Sequence, residues 1–291
     1  MTEVKKICFF NHYHNGDLFN SKSFIEEIIS NINLKYYYAH SNQSIVLSDL
    51  NAEYLEIPNI SHSEKFLIDN DILYVNTWIG CYFDSNKPFN GECTLRFSYQ
   101  MFGEIYEYLN SLFLSDLKLK SIEEYFSFVD YSKFNLLNVD EFVNQFLQKK
   151  ILFSNGPCLS GQCNYYGDMS SIIETCAKKN EDKIFVVTHK FNTDVQNIKF
   201  TDDILNLNRC DLNEISYIST FCDIIIGRNS GPFCFSMTKE NVLNPQKTFY
   251  AFGNKETDCF CYGVDINCEF VFEYFESLEQ IEETILSLVK V

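Results

Sequence analysis

The sequence predicts an α/β protein built from two successive Rossmann-like domains with a cleft between their sheets. Short apolar runs alternate with amphipathic helical segments, and this alternation restarts near residue 150 after a mostly helical block. The 291-residue length suits two cores rather than one. An apolar fraction of 46% with 16% aromatics supports a packed protein over a disordered chain.

The first half opens with the apolar run Lys6–Asn11 (KICFFN), read as a buried strand, then the polar turn 12–17. A helix follows, because Ser23 and Glu26 have capping-box spacing and Ile25, Ile28, Ile29 and Ile32 share one face. Residues 34–39 supply a second strand and 72–77 a later one, completing a βαβ opening. From 95 to 114 the positions Phe102, Ile105, Tyr106, Leu109, Leu112 and Phe113 keep helical spacing. Helices expected at 121–129 and 140–148 close the first domain, giving domains 1–149 and 150–291. That helical block interrupts the βα alternation and argues against a single barrel.

The second half begins with a strand at 151–154 and a loop through Gly161 and Gly167. A helix carrying Met169, Ile172, Ile173, Cys176 and Ala177 on one face follows, with Ser171 and Glu174 at capping spacing. Strands at 183–188, 223–227, 247–252 and 270–272 are separated by a helix at 211–221, opened by Asp211 and Glu214. A terminal helix at 277–289, with Leu278, Ile281, Ile285 and Leu288, is expected to pack back on the first domain.

A formal charge of −17 opposes nucleic acid and anionic membrane as partners, while leaving a small nucleotide diphosphate open to local binding. The 12 cysteines are scattered through apolar runs such as Ile7-Cys8-Phe9, a pattern of buried thiols rather than disulfides. Cys259 and Cys261 form a C-x-C without a second Cys or His pair, so no metal site is expected. The N-terminus carries no signal-peptide pattern, and no apolar span is long enough for a membrane helix, so a cytoplasmic location without an integral membrane segment is expected.

The segment from Asp223 to Phe233 (DIIIGRNSGPF) reads as a buried strand running into a small polar turn and a helix. Such a turn lies at the carboxyl edge of a parallel sheet, where open α/β folds bind ligands. The amides of Ser230, Gly231 and Phe233 suit a phosphate, and Pro232 fits a first helical turn. An ordinary capped strand-to-helix turn explains the same residues.

The helix 211–221, the strand 223–227 and the Asn229-Ser230-Gly231-Pro232 turn together resemble the sugar-nucleotide half of GT-B glycosyltransferases, especially the heptosyltransferase-like family 9. That group has an Asp-Ser-Gly-Pro-type turn, and Asn229 departs from it by removing a charge. His14-Asn15-Gly16-Asp17-Leu18 resembles the Gly-Asp turn after the first strand of the same group. The resemblance implies that Asp17 is the catalytic base, assisted by His14, although Asp17 as a cap of the following helix remains an alternative. Thr188-His189-Lys190 resembles the basic position near the nucleotide phosphates, which assigns Thr188 and Lys190 to the donor. Ser160 and Gly161 lie in the loop that approaches those phosphates in the family, and Glu214 is a candidate for the ribose hydroxyls. Trp78, in Asn76-Thr77-Trp78-Ile79-Gly80, is a candidate sugar-stacking ring, and His12 joins it on the acceptor side; a core Trp and structural histidines are the alternatives.

The resemblance implies inverting, metal-independent transfer by a hexosyl- or pentosyltransferase, from a nucleotide-sugar co-substrate to a hydroxyl of a glycan or related acceptor, with no bound cofactor. Two other classes fit parts of the pattern. A different nucleotide-binding α/β enzyme such as an oxidoreductase shares the βαβ halves, but no G-x-G-x-x-G follows the first strand. A non-catalytic binding protein of the same fold is kept open by Asn229.

Overall fold

Strand β1 (Lys6–Asn11) places Ile7, Cys8, Phe9 and Phe10 wholly out of solvent, the continuous apolar run expected of a strand covered on both faces. The computed structural model describes residues 3–13, 15–40, 45–56, 59–82, 93–156, 168–207, 211–228, 231–274 and 277–290. They form two compact units, Met1–Asp130 with Phe260–Asp265, and Tyr131–Cys259 with Ile266–Val291.

In the first unit β1 is followed by α1 (Asn15–Asn20), α2 (Lys22–Asn31), β2 (Lys35–His40), β3 (Glu53–Leu55), β4 (Phe66–Asp69), β5 (Ile72–Asn76) and α3 (Thr94–Phe113). The sheet order is β3-β2-β1-β5-β4. All pairs are parallel except β4 with β5, a hairpin turned by Asn70 at a φ of 54°. Helix α3 buries Phe102, Ile105, Tyr106 and Leu109 of the expected stripe, together with Leu95 and Met101, whereas Leu112 in its last turn is exposed. Phe24 of α2 stacks on Phe102 and Tyr125, with centroids 4.5 and 4.0 Å away.

Two expectations for this unit change. Helix α2 starts at Lys22, and Ser23 does not cap it; its hydroxyl donates to the Phe126 carbonyl at 2.8 Å. The expected helix at 121–129 is a single 3-10 turn, Ile122–Tyr125. The backbone beyond it is committed elsewhere: Phe126 O accepts from Ser23, and Asp130 N donates to Asp49 at 2.8 Å. Asp49 also holds Lys22 in a fully buried ion pair at 2.6 Å. Burial pushes the Lys22 ammonium down, and Asp49 opposes that shift.

The second unit contains α4 (Leu137–Gln145), β6 (Lys150–Ser154), α5 (Ser170–Lys179), β7 (Ile184–Val187), β8 (Ile198–Phe200), α6 (Thr201–Leu205), α7 (Leu212–Thr220), β9 (Ile224–Arg228), α8 (Pro232–Ser236), α9 (Lys239–Val242), β10 (Thr248–Gly253), β11 (Glu269–Tyr274) and α10 (Leu278–Val289). Its sheet, β11-β10-β9-β6-β7-β8, is parallel throughout. The core joins Ile151, Phe153, Phe185, Val187, Ile226 and Tyr250 to Ile173 and Cys176 of α5 and to Ile281 and Ile285 of α10. The terminal helix, expected to return to the first domain, thus packs on α5. Helix α4, expected to close the first domain, packs on α6, and Tyr217 of α7 donates to Asp140 of α4 at 2.9 Å.

One device recurs in this unit. Lysines at strand starts turn their ammonium groups onto helix C-terminal carbonyls, where cations are favoured. Lys150 donates to Phe146 and Gln148 after α4, Lys183 to Val289 of α10, and Lys247 to Ser219, Thr220 and Cys222 at the end of α7. The described cysteines are free thiols, mostly buried, and burial pushes those of Cys8, Cys176 and Cys222 up to about 12. Among the described residues no helix is long and apolar enough to cross a membrane.

Candidate functional site

In the first unit the polar residues that end β1 and β5 organise the carboxyl edge of the sheet. Asn11 and Asn76 are both fully buried, and each accepts at its side-chain oxygen the amide two residues ahead: Tyr13 N at 2.7 Å and Trp78 N at 2.9 Å. These are Asx turns, which bend the chain sharply after a strand. Thr77 ties the two exits together, its amide and hydroxyl both donating to Phe10 O at 2.9 and 3.1 Å. The turns bring the rings of Tyr13 and Trp78 to 4.5 Å, and His62 stands edge-on to both at 5.7 and 5.8 Å. Gly80 makes room for the indole, since a Cβ there would sit 2.4 Å from the Trp78 ring.

Asn11 serves a second purpose. Its amide nitrogen donates to Asp17 over a long 3.5 Å. Asp17 lies in the first turn of α1, where burial pushes its carboxyl up to about 7, the Asn11 bond pulling the other way. A carboxylate poised near neutrality can exchange a proton in either direction, which is the property a general base needs. His12 is half-buried with its ring edge-on to Phe10 at 5.5 Å. His14 lies outside the described residues.

The second unit uses the same amide device at the corresponding edge. Asn155, directly after β6, accepts His189 N at 2.8 Å and donates to His189 O at 2.9 Å, clamping the exit of β6 to that of β7. Thr188 turns its hydroxyl to the same Asn155 oxygen at 3.4 Å. Arg228, last in β9 and only 2% exposed, donates to the carbonyls of Asn155 and Gly156 at 3.0 and 2.6 Å. Two bonds from Ser170 hold Asp168 below the usual carboxylate range, and the neighbouring His189 and Arg228 charges add to that. Gly227 lets β9 approach β6 here, because a Cβ would lie 2.7 Å from Ser154 Cβ. Gly231 adopts a φ of 50°, and Pro232 opens α8.

Lys190 is about half exposed and paired with Asp203, so its charge is already matched by a carboxylate. Glu214 is wholly buried in the first turn of α7. Ser160, Gly161, Asn229 and Ser230 lie outside the described residues. A groove of about 660 Å³ elsewhere in this unit runs between α4, residues 193–200 and α6; it holds Asp203 but none of Asn155, Thr188, His189, Arg228 or Gly231.

No protein-family model matches the sequence, and no curated protein matches it either. Solved structures do. A family 9 glycosyl transferase from Veillonella parvula aligns over 97% of this chain and 89% of its own, with a TM-score of 0.52 at 9% identity. The chain has the GT-B fold. E. coli heptosyltransferase WaaC with ADP shares that fold over 98% of this chain and 97% of its own (TM-score 0.53, 7% identity), as does WaaC with ADP-2-deoxy-2-fluoro heptose over 98% and 99% (0.53, 6%). At such identities the likeness is one of GT-B architecture, and the chemistry must be argued from residues.

Asn11, Tyr13, His62, Asn155, Asp168 and Arg228 are absent from the site that the sequence suggests. A signal existed for the amides: Asn11 and Asn76 each terminate an apolar run, and Asn155 follows one. No local pattern marks His62 or Arg228, which reach their edges only through strand pairing.

Proposed function

We propose that this protein is a glycosyltransferase that moves a sugar from a nucleoside-diphosphate sugar to an acceptor hydroxyl, with Asp17 as general base. The observation that carries the reading is Asp17 itself, a desolvated carboxyl titrating near 7 and hydrogen-bonded by Asn11 at the end of β1, on a fold shared with solved GT-B transferases. The acceptor oxygen attacks the anomeric carbon as its proton passes to the Asp17 carboxylate. The bond from that carbon to the diphosphate oxygen breaks, and the nucleoside diphosphate leaves. A single displacement inverts the anomeric centre, and the transferred sugar is of the hexosyl or pentosyl class.

The second unit supplies the donor contacts. Arg228 fixes the backbone directly after β6 by binding the Asn155 and Gly156 carbonyls, a few residues before the donor candidates Ser160 and Gly161 in sequence. The buried positive charge of Arg228 offsets the departing diphosphate without a metal ion, and Lys190, already paired with Asp203, adds less. Gly231 and Ser230 contribute backbone amides, and Thr188 a hydroxyl.

Thermal denaturation against a panel of nucleoside diphosphates and sugar nucleotides tests this, since a ligand bound by the folded state raises apparent stability. A shift with one nucleotide class, followed by transfer that Asp17→Asn abolishes, is expected. No shift with any nucleotide at saturating concentration removes the reading.

A further inference from the structure

From the chemistry of the first unit's sheet edge we infer that the acceptor is an uncharged pyranose, stacked on the ring cluster of Tyr13, His62 and Trp78. The inference rests on the transferase reading for the reaction, but its geometry stands on the first unit alone.

The three rings form a built surface. Tyr13 and Trp78 are set by matched Asx turns on neighbouring strands, the indole is seated over Gly80, and His62 closes the side. The backbone of His62 is held too, since Asn76, which shapes the Trp78 turn, donates to its carbonyl at 2.9 Å. Tyr13 remains 39% exposed and His62 is exposed, while the indole is half-buried. Rings that serve only a core would be covered; these are ordered yet open. The C–H bonds on one face of a pyranose make an apolar patch of slight positive charge, which complements the negative face of an aromatic ring. Asn11 links this cluster to the base, because the side chain that turns Tyr13 also donates to Asp17.

Electrostatics selects an uncharged sugar. Every described lysine of the first unit is matched by a carboxylate: Lys5 by Glu3, Lys6 by Asp71, Lys22 by Asp49, Lys35 by Glu53, Lys65 by Glu104, Lys118 by Asp116 and Lys120 by Glu27. Arg96 donates to the Gly263 carbonyl. Lys6 and Lys35 start β1 and β2, at the opposite sheet edge. The backbone of Lys65 is tied to the same strand end, its carbonyl accepting from the Asn76 amide, but its ammonium is held by Glu104 at 2.6 Å. A phosphorylated or carboxylated acceptor would meet no described lysine that lacks a carboxylate partner, and it would approach Asp17, itself a carboxylate when active.

Trp78 is the single tryptophan of the chain, so its emission reports directly on this surface. Titration of the intact protein with methyl β-glucopyranoside, methyl β-galactopyranoside and maltotriose is expected to give a saturable change with at least one of them. Glucuronate and glucose 6-phosphate should bind at least about tenfold more weakly than the neutral sugar. Tyr13→Ala should weaken the neutral sugar by about tenfold, and Tyr13→Phe should restore it. Tighter binding of an anionic sugar, no saturable change with any neutral saccharide, or an unchanged affinity in Tyr13→Ala overturns the inference. The two readings fail separately: a sugar response without any nucleotide-induced thermal shift sinks the transferase and keeps the platform, whereas a nucleotide shift without a sugar response sinks the platform alone.

Discussion

The carboxyl edges of the two sheets use one structural device in opposite electrostatic settings. In each, a side-chain amide at or just past a strand end replaces the sheet's missing hydrogen bonds: Asn11 and Asn76 in the first unit, Asn155 in the second. Around the first pair stand a carboxyl pushed towards neutrality and three aromatic rings. Around the second stand Arg228, His189, Lys190 and the close approach of Gly227 to β6. The same edge geometry thus stands in two electrostatic settings, which under the proposed function suit a neutral nucleophile in one unit and an anionic ligand in the other. Net charge, strongly negative over the whole chain, hides this division.

The most severe way to break the comparison is Asp17→Asn. Loss of the base should lower the turnover rate by about 10²–10⁴-fold. Wild-type activity should rise with pH through a midpoint near 7, where Asp17 loses its proton, and then level off. Stability moves the other way. A carboxyl raised from 3.8 to about 7 on folding binds its proton more tightly in the folded state, so its contribution declines as pH rises from about 4 through about 7. Asp17→Asn should therefore melt above the wild type at pH 8, by at most roughly 4 kcal/mol in stability, with the gap closing near pH 4. A variant whose advantage over the wild type is no larger at pH 8 than at pH 4 would mean Asp17 is solvated.

Next in size, Arg228→Met leaves the Asn155 and Gly156 carbonyls without their buried donor. About 2–3 kcal/mol of stability should be lost in chemical denaturation, together with at least about tenfold in nucleotide affinity by calorimetry. Intact nucleotide binding would detach the second edge from anion recognition. A subtler change is Asn11→Ala. The bond from Asn11 favours the charged form of Asp17, so removing it should move the pH midpoint of activity upward, modestly because the bond is long. A downward movement would contradict the assigned polarity.

Lys190→Ala should matter least. Its exposed pair with Asp203 is worth about 0–1 kcal/mol, and its loss should weaken nucleotide binding less than Arg228→Met does. The reverse order would return the main phosphate contact to Lys190.

The regular elements were legible wherever periodicity is strong. The run KICFFN is β1, the stripe from Phe102 to Leu109 lies in α3, and the strand before Arg228 is β9. Short edge strands were not, because β3, β8 and the antiparallel β4 carry too few residues for alternation to show. The expected caps also fared unevenly. Ser277 accepts from Gln280 at the start of α10, a cap outside those expected. Ser171 lies inside α5 rather than at its cap, and Ser23 is drawn to Phe126, more than a hundred residues away in sequence. A local spacing rule cannot anticipate a distant competitor for the same hydroxyl.

By itself the sequence determined the α/β class, the order of the main strands and helices, and the two strand exits that carry Asp17 and Gly231, since these follow from apolar runs and turn residues close together in the chain. Only the tertiary structure decided that Asn11 serves both Tyr13 and Asp17, that His62 joins Trp78, that Arg228 reaches the exit of β6, and that each described lysine of the first unit is matched by a carboxylate. Those relations link residues through strand register and burial, and burial is what moves the Asp17 proton into the range where chemistry at neutral pH can use it.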